Sequence, residues 1–266
     1  MVELISPNNK VVREYRRLGT GRYRRKSGRV ILEGVHLLRE ALNAGIAIEA
    51  VLFTSAFWAE AENRELLAQL RGTRRCQLSD SVFNSIAQTE SPQGVGAIAH
   101  IPSLMKENFW RKHDLFLLVL DRIQDPGNLG TIIRAAAAAA VDGVMLLPGT
   151  ADPTNPKALR AGMGGNFYLP VIHANIFPNW PTFFKEQGIR LVAADPGGDI
   201  PYYKLAFETP TALVIGNESK GVNAQLLEMA AVRTYIPMTG SIKSLNAAMA
   251  ATLFIFERQR GRNAAN

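Results

Sequence analysis

The second half of the chain alternates short apolar runs with helical patterns of apolar residues. Residues 115–120 read Leu-Phe-Leu-Leu-Val-Leu, with no polar residue among them. Such a run is typical of a strand that is buried on both faces of a parallel sheet. Further predicted strands lie near Gly143, Leu169, Ile189, Ala212 and Thr234, and the predicted helices cover 129–140, 156–162, 180–187, 223–231 and 245–260. The alternation predicts an α/β domain with a parallel sheet, whose ligand loops lie at the carboxyl ends of the strands.

The preceding residues, 30–101, predict a smaller α/β domain. Its expected strands start at Val30 and cover 48–54 and 94–101, and its expected helices cover 36–43, 57–70 and 81–87. The polar and charged residues 102–114 are interpreted as a linker. The predicted organisation is therefore a basic segment (1–29), the small domain (30–101), the linker (102–114) and the larger domain (115–266).

The composition favours a globular protein without a disulfide or a metal centre. The chain has 266 residues, of which 47% are hydrophobic, and a core of substantial size is expected. Cys76 is the single cysteine, and the four histidines do not cluster in the sequence. No apolar run approaches the roughly eighteen residues of a membrane span, and the first residues do not resemble a signal peptide. A cytoplasmic location is therefore expected.

Positive charge is concentrated in the first part of the chain. Residues 1–113 hold 17 Lys and Arg against 11 Asp and Glu, whereas the remainder holds 13 against 12. Between residues 13 and 29 the basic side chains are interleaved with Tyr15 and Tyr23. Phosphate neutralisation and base stacking require this combination. A solvated basic face is the alternative interpretation.

Polar loops follow three of the predicted strands. The first, Leu120-Asp-Arg-Ile-Gln-Asp-Pro-Gly-Asn128, opens a helix that carries Arg134. The second is Ile215-Gly-Asn-Glu-Ser-Lys-Gly221, and the third runs from Ile236-Pro-Met to Ser244-Leu-Asn246. Three loops of this kind predict one composite site. The first strand leads to Asp-Pro-Gly-Asn rather than a dinucleotide fingerprint, which argues against a nicotinamide oxidoreductase.

These loops, in this order and followed by an alanine-rich C-terminal helix, resemble motifs one, two and three of the SpoU (TrmH-type) RNA 2′-O-ribose methyltransferases of the SPOUT superfamily. The resemblance covers roughly the last three fifths of the chain. It implies S-adenosyl-L-methionine as the methyl donor and a trefoil knot within 115–266. It also implies a homodimer in which both subunits build each active site. Residues 30–101 are similar in arrangement to the RNA substrate-binding domain of ribosomal-RNA members.

The resemblance also implies roles for single residues. The catalytic candidates are Arg134, Asn128, Glu218, Ser244 and Asn246. The residues implied to contact the donor through their backbone are Gly216, Ile236 and Leu245. Ala247-Ala-Met249 follows Ser-Leu-Asn where many relatives have a Val-Ser-Val type of sequence, so a contact from the usual next serine is not expected here.

Methyl transfer from a sulfonium donor to a ribose 2′-hydroxyl requires orientation and help with a poorly acidic hydroxyl, and it requires no metal. Arg134 is the central candidate. A guanidinium normally stays charged, so we favour positioning of phosphate and hydroxyl, with a role as base as the alternative. Asn128 is either an N-cap or a holder of the arginine or substrate. Glu218 is alternatively a solvent-exposed turn residue, and Ser244 and Asn246 are alternatively ordinary helix-start residues.

The predicted function is S-adenosylmethionine-dependent 2′-O-ribose methylation of 23S ribosomal RNA. Methylation of tRNA and a noncatalytic role as an RNA-binding ribosome-assembly protein are the alternatives. The methyltransferase motifs favour RNA as the partner of the basic segment. The predicted RNA-binding residues are Arg16, Arg17, Arg22, Arg24, Arg25, Lys26 and Arg29.

Overall fold

The computed structural model describes residues 2–4, 6–70, 72–177, 179–207, 209–242 and 244–265. Its strands are β1 (Val2–Leu4), β2 (Val30–Glu33), β3 (Ala47–Thr54), β4 (Arg74–Leu78), β5 (Val95–His100), β6 (Phe116–Leu120), β7 (Gly143–Leu146), β8 (Val171–His173), β9 (Arg190–Ala194), β10 (Ile200–Pro201), β11 (Thr211–Ile215) and β12 (Val232–Tyr235). Its α-helices are α1 (Lys10–Leu18), α2 (Gly21–Ser27), α3 (Val35–Asn43), α4 (Ser55–Ala59), α5 (Ala61–Gln69), α6 (Asp80–Asn84), α7 (Pro126–Ala138), α8 (Pro156–Gly162), α9 (Trp180–Glu186), α10 (Ala224–Met229) and α11 (Ala247–Ala265). In the part of the chain that is described, no helix is both long and apolar enough to cross a membrane.

The chain divides into two compact units. Unit 1 comprises Met1–Pro102 and Asp152–Phe167, and unit 2 comprises Ser103–Ala151 and Tyr168–Asn266. The segment that contains α8 lies within the boundaries 115–266 predicted for the larger domain, yet it packs in unit 1. The reason is hydrophobic burial, since Leu159 is fully buried in the same apolar cluster as Val30 and Leu32 of β2.

The sheet of unit 2 is parallel, with the strand order β10-β12-β9-β11-β6-β7-β8. Alternate residues of β6 enter different apolar clusters. Phe116 and Leu118 belong to one cluster, whereas Leu117 and Val119 belong to another. Apolar side chains therefore cover both faces of the strand, as its unbroken apolar run predicts. The predicted α/β fold with a parallel sheet is confirmed.

The strand order of unit 2 brings the three polar loops to one edge of the sheet. β6 pairs with β11, β11 pairs with β9, and β9 pairs with β12. All four strands are parallel, so the loops that follow them leave at the same edge. Ligands of open α/β sheets bind in the crevice outside the carboxyl ends of such strands.

The residues interpreted as a linker are partly packed into unit 2. Phe109 and Trp110 form a short 3₁₀ turn with Arg111. The ring of Trp110 stacks on Phe177, with the centroids 5.6 Å apart, and meets Phe183 edge-on at 5.2 Å. This aromatic burial explains why unit 2 begins well before β6.

The sheet of unit 1 has the order β1-β4-β3-β5-β2, in which β5 is antiparallel to both β3 and β2. Helices α1 and α2 and strand β4 are absent from the sequence prediction, because charged side chains interrupt their apolar patterns. The helix predicted over 57–70 is instead two helices, α4 and α5, separated at Glu60. Val12, Tyr15 and Leu18 of α1 are fully buried in the core of unit 1. The basic segment 1–29 is thus part of a folded unit.

The structure corrects the prediction that Arg24 binds RNA. Its side chain is 3% exposed, and Nη1 donates to the carbonyl oxygens of Leu18 and Gly19 at 2.9 and 3.0 Å. Nη2 forms an ion pair with Asp152 at 2.7 Å. Tyr15, considered for base stacking, is fully buried. Neither side chain can reach RNA without unfolding part of unit 1.

The other predicted RNA-binding residues are more accessible. Arg29 is half-buried and forms ion pairs with Glu14 and Glu49, which neutralise much of its charge. The remaining residues have exposed side chains: Arg16, Arg17, Arg22, Arg25 and Lys26.

The ion pair between Asp152 and Arg24 predicts acid sensitivity of unit 1. Burial alone raises the pKa of Asp152, but hydrogen bonds from Thr154 and Arg24 outweigh it and hold the pKa below its usual value. Ionised Asp152 therefore contributes fully to the free energy of unfolding above its unfolded pKa of about 3.9. This contribution is lost as the pH falls through the pKa of Asp152 in the folded state. Urea-unfolding midpoints of the wild type should fall more between pH 6 and pH 3 than those of Asp152→Asn. Equal losses would contradict this assignment.

Candidate active site

The N-terminus of α7 is capped in a way that leaves Asn128 free for other contacts. Asp125 is the N-cap residue, and its Oδ1 accepts a hydrogen bond from the backbone N–H of Asn128 at 2.9 Å. Pro126 occupies the first turn, where its missing N–H costs nothing. The capping role considered for Asn128 therefore belongs to Asp125.

One chain of hydrogen bonds connects the three polar loops. Asn246 Nδ2 donates to Asn128 Oδ1 at 2.9 Å, and Asn128 Nδ2 donates to Glu218 Oε1 at 2.7 Å. The direction of the Asn128 amide is determined by its partners, because a carboxylate only accepts and an amide NH₂ only donates. The structure thus brings together three of the predicted catalytic residues, one from each motif.

Asn246 has a structural role as well as this contact. Its Oδ1 accepts from the backbone N–H of Ala248 at 2.8 Å and of Met249 at 3.3 Å, which caps the start of α11. The helix-start interpretation of Asn246 is therefore confirmed, and its catalytic role stays a prediction. Ser244 is exposed and lies two residues before it at the edge of the cavity described below. Lys243, within the third motif, lies outside the described residues.

Arg134 lies apart from this hydrogen-bond chain. Its side chain is exposed on the face of α7 that also carries Thr131 and Ala138. Among the described residues, it forms no hydrogen bond or ion pair with another side chain. The arginine is therefore available to a substrate, but within one chain it is not held by Asn128 or Glu218.

Two residues that the sequence analysis missed fix the loop that carries Glu218. Asp121, 3% exposed, accepts from both Nε and Nη2 of Arg122 at 2.9 Å and from the backbone N–H of Asn223 at 2.8 Å. The carbonyl oxygen of Arg122 accepts from Asn217 Nδ2 at 2.9 Å. Two charged residues directly after a wholly apolar strand were the available signal. Together they connect the first motif to both ends of the second.

A cavity of about 550 Å³ opens beside the hydrogen-bond chain, within the size range of small-molecule sites. The three residues implied to contact the donor, Gly216, Ile236 and Leu245, all line it. A Cβ atom on Gly216 would overlap the backbone of Gly221 and Val222. Only glycine at position 216 therefore allows the backbone there to approach the backbone of residues 221 and 222 so closely.

The cavity lining fits S-adenosylmethionine. Ile215, Leu245 and Phe254 provide apolar walls suited to an adenine ring. Asp195 and Glu218 provide two carboxylates, and no Lys, Arg or His occurs among the described lining residues. Because the donor carries a sulfonium and an ammonium against one carboxylate, its net charge is positive. The charge of the cavity is complementary to it.

Comparisons with known proteins agree with this geometry. Residues 115–256 match the model of the SpoU rRNA methylase family, and residues 9–97 match the MRM3-like substrate binding domain. The chain belongs to the SpoU rRNA methylase family. Membership confirms the resemblance seen in the three motifs, and the chain is an RNA methyltransferase that uses S-adenosylmethionine. The trefoil knot that the resemblance implies stays a prediction.

Similar proteins cover nearly the whole chain. A 23S rRNA guanosine 2′-O-methyltransferase of Bacillus subtilis is 34% identical over 96% of this chain and 98% of its own length. A 23S rRNA uridine 2′-O-methyltransferase of Streptomyces viridochromogenes is 30% identical over 92% and 87%. The structure of the SpoU methyltransferase AviRb from Streptomyces viridochromogenes with AdoMet has a TM-score of 0.86 and 29% identity, covering 97% and 99% of the chains. An AdoMet-bound rRNA methyltransferase from Sinorhizobium meliloti has a TM-score of 0.82 and 29% identity, covering 98% of both chains.

The substitution Gly216→Ala should weaken donor binding strongly. The added methyl group would collide with the backbone at Gly221 and Val222, so the loop that lines the cavity must move. We expect the affinity for S-adenosylmethionine, measured by calorimetry, to fall at least tenfold, the effect of about 1.4 kcal/mol. Gly240→Ala is the matched control, because a Cβ there meets nothing within 4 Å. Unchanged affinity in Gly216→Ala would show that this loop does not form the donor site.

Proposed function

We propose that this protein transfers the methyl group of S-adenosylmethionine to the ribose 2′-hydroxyl of a nucleotide in 23S ribosomal RNA. The observation that carries the proposal is the hydrogen-bond chain from Asn246 through Asn128 to Glu218 beside the cavity. Two similar proteins are 23S rRNA 2′-O-methyltransferases and span nearly the whole chain. A cytoplasmic location, as expected from the sequence, accompanies this proposal.

Donor binding is assigned to the cavity loops. Gly216, Ile236 and Leu245 hold the donor through backbone groups and apolar contacts, as their place in the lining supports. Once bound there, S-adenosylmethionine supplies an electrophilic methyl group on a positively charged sulfur. The reaction is an in-line displacement, and the protein's main contribution is to orient the hydroxyl toward that methyl group.

Acceptor positioning is assigned to the polar residues of the three motifs. Asn128 is rigid, because both polar atoms of its side chain are bonded. It fixes the carboxylate of Glu218 and the amide of Asn246 at the rim. With Ser244, these groups orient the target ribose. Arg134 binds the adjacent phosphate and stabilises negative charge that develops on the 2′-oxygen.

A homodimer explains why Arg134 is exposed and separate from this cluster. The adjacent helix α11 exposes Met249, Leu253 and Phe256 to 60%, 38% and 47%, at the spacing of one helix face. Exposed apolar side chains in such a stripe are typical of a protein interface. We assign this face of α11 to the contact between subunits and assign each active site an Arg134 supplied by the other subunit.

The substitution Leu253→Arg should therefore convert a dimer into a monomer and abolish methylation, because a charge would be buried in an apolar interface. Sedimentation velocity at micromolar concentration measures the change. Met229→Arg is the matched control, since Met229 is another exposed apolar residue of unit 2, at 45%, but lies on α10. A wild-type monomer with full activity would refute the assignment.

RNA docking is assigned to the exposed cations of unit 1. They are Arg16, Arg17, Arg22, Arg25 and Lys26 of α1 and α2, which the match to a substrate-binding domain supports. Contacts to phosphates weaken as the salt concentration rises, because binding releases counterions. RNA affinity should therefore show a steep salt dependence that Arg25→Ala reduces.

The proposed function is tested with methyl-labelled S-adenosylmethionine and RNA that lacks the relevant methylation. The protein is incubated separately with 23S ribosomal RNA, with ribosomal particles and with tRNA, and alkali-resistant linkages are mapped. Label in a 2′-O-methyl nucleotide of 23S RNA supports the proposal. Label only in tRNA would make tRNA the substrate in place of 23S RNA. Donor binding without label in any RNA would favour a noncatalytic assembly role.

A further inference from the structure

Asp195 places a fixed carboxylate at the wall of the cavity. It follows the last residue of β9, and its backbone N–H donates to the carbonyl of Thr234 at 2.9 Å. Its Oδ1 accepts from the backbone N–H of Gly197 at 3.2 Å. A Cβ on Gly198 would approach the backbone of Arg233 to 2.8 Å, so this turn is packed tightly against β12. The position of the carboxylate is therefore determined by the fold.

The negative charge of Asp195 is only weakly compensated. Among the described residues, its ion-pair partner is Arg233, whose guanidinium lies 4.0 Å from Oδ2 on a side chain that is 44% exposed and outside the cavity lining. An exposed ion pair at this distance contributes little. Glu218, the other carboxylate of the lining, is already bonded to Asn128. Asp195 is thus the carboxylate whose charge acts mainly on the contents of the cavity.

We infer that Asp195 makes the cavity select the charged methyl donor over its uncharged-sulfur product. This inference rests on the proposed function. In the reaction the 2′-oxygen forms a bond to the methyl carbon, the carbon–sulfur bond breaks with its electron pair left on sulfur, and the hydroxyl proton passes to solvent. The sulfonium becomes a neutral thioether, while the adenosine and amino-acid parts are unchanged. A fixed negative charge therefore stabilises the bound donor and not the bound product, which favours product release.

The test is a calorimetric comparison of three ligands. They are S-adenosylmethionine, S-adenosylhomocysteine, and sinefungin, an analogue that carries an amine-bearing carbon in place of the sulfonium. For Asp195→Asn we expect about fivefold weaker binding of S-adenosylmethionine and sinefungin, which both carry a positive charge at the sulfonium position. A loss of this size corresponds to one partly screened charge interaction. Binding of S-adenosylhomocysteine should stay within twofold of the wild type. Asp195→Glu should restore the preference.

Asp199→Asn is the matched control, because Asp199 belongs to the same loop but is 74% exposed and is absent from the lining. Equal weakening of all three ligands by Asp195→Asn would overturn the inference and assign Asp195 to the shared adenosine or amino-acid part. Unchanged binding of all three would overturn it as well. Failure of the proposed function differs from both outcomes, since it would appear as wild-type protein that methylates no RNA.

Discussion

Arg134→Ala should lower the rate of methyl transfer roughly 10²- to 10³-fold while leaving the affinity for S-adenosylmethionine unchanged. Loss of one group that stabilises developing oxyanion charge has an effect of this size. Donor affinity should not change, because Arg134 is not part of the cavity lining. Single-turnover methylation with saturating RNA measures the rate, and calorimetry measures the affinity. A variant that keeps wild-type activity would remove Arg134 from the mechanism.

A mixture of two impaired variants tests whether Arg134 acts across the proposed subunit contact. Arg134→Ala and Glu218→Ala homodimers should each be impaired. In a mixed dimer, one of the two sites combines an intact Glu218 with an intact Arg134 from the other subunit. Random exchange of subunits at equal concentrations makes about half of the dimers mixed. About a quarter of all sites are then intact, so about a quarter of the wild-type activity should return. No restoration, despite exchange shown by sedimentation of tagged subunits, would place both residues in one subunit's site.

Arg24→Ala should destabilise unit 1 by about 3 kcal/mol, the lower end of the effect of removing one partner from a buried ion pair. The substitution leaves Asp152, whose side chain is 20% exposed, without its ion-pair partner. It also removes the donors to the carbonyls of Leu18 and Gly19. Hydrogen exchange of the β3 amides reports on unit 1 and should accelerate by about two orders of magnitude, since 1.4 kcal/mol corresponds to a factor of ten.

Arg25→Ala is the matched control for this experiment, because Arg25 is exposed on the same helix. We expect its effect on stability to stay within about 0.5 kcal/mol, as for other surface substitutions. Its effect should instead appear in RNA affinity. If Arg24→Ala left hydrogen exchange unchanged and weakened RNA binding, the original sequence interpretation of Arg24 would be restored.

The sequence by itself determined the α/β class of unit 2, its parallel sheet and the edge at which the polar loops lie. Six consecutive apolar residues at 115–120 indicated a strand covered on both faces, and β6 is such a strand. This inference succeeds because burial on both faces removes the need for polar side chains. The first two motifs directly follow the apolar strands β6 and β11, whereas the third follows β12, which contains Arg233. Parallel strands place the loops that follow them at the same edge of the sheet, and the strand order decides which of these loops are neighbours.

The tertiary structure alone decided which of several chemically equivalent side chains is buried in an ion pair and which is exposed to solvent. Arg24 and Arg25 are neighbours with the same chemistry, yet one is buried beside Asp152 and the other faces solvent. The partner that separates them lies more than 120 residues away, in a segment that packs with unit 1. A local pattern carries no information about such a contact. The basic segment therefore looked uniform in the sequence.

The same holds for the site. Asp125 and Asn128 are both good helix caps. In the structure Asp125 takes the cap, and Glu218, ninety residues later, binds the side-chain amide of Asn128. The cavity proposed to hold the donor likewise depends on the close approach of the backbone at Gly216 to Val222. The sequence indicated that the three motifs build one site, because three similar polar loops follow predicted strands of one parallel sheet. Which atoms bond depends on loop conformations that only the packed chain fixes.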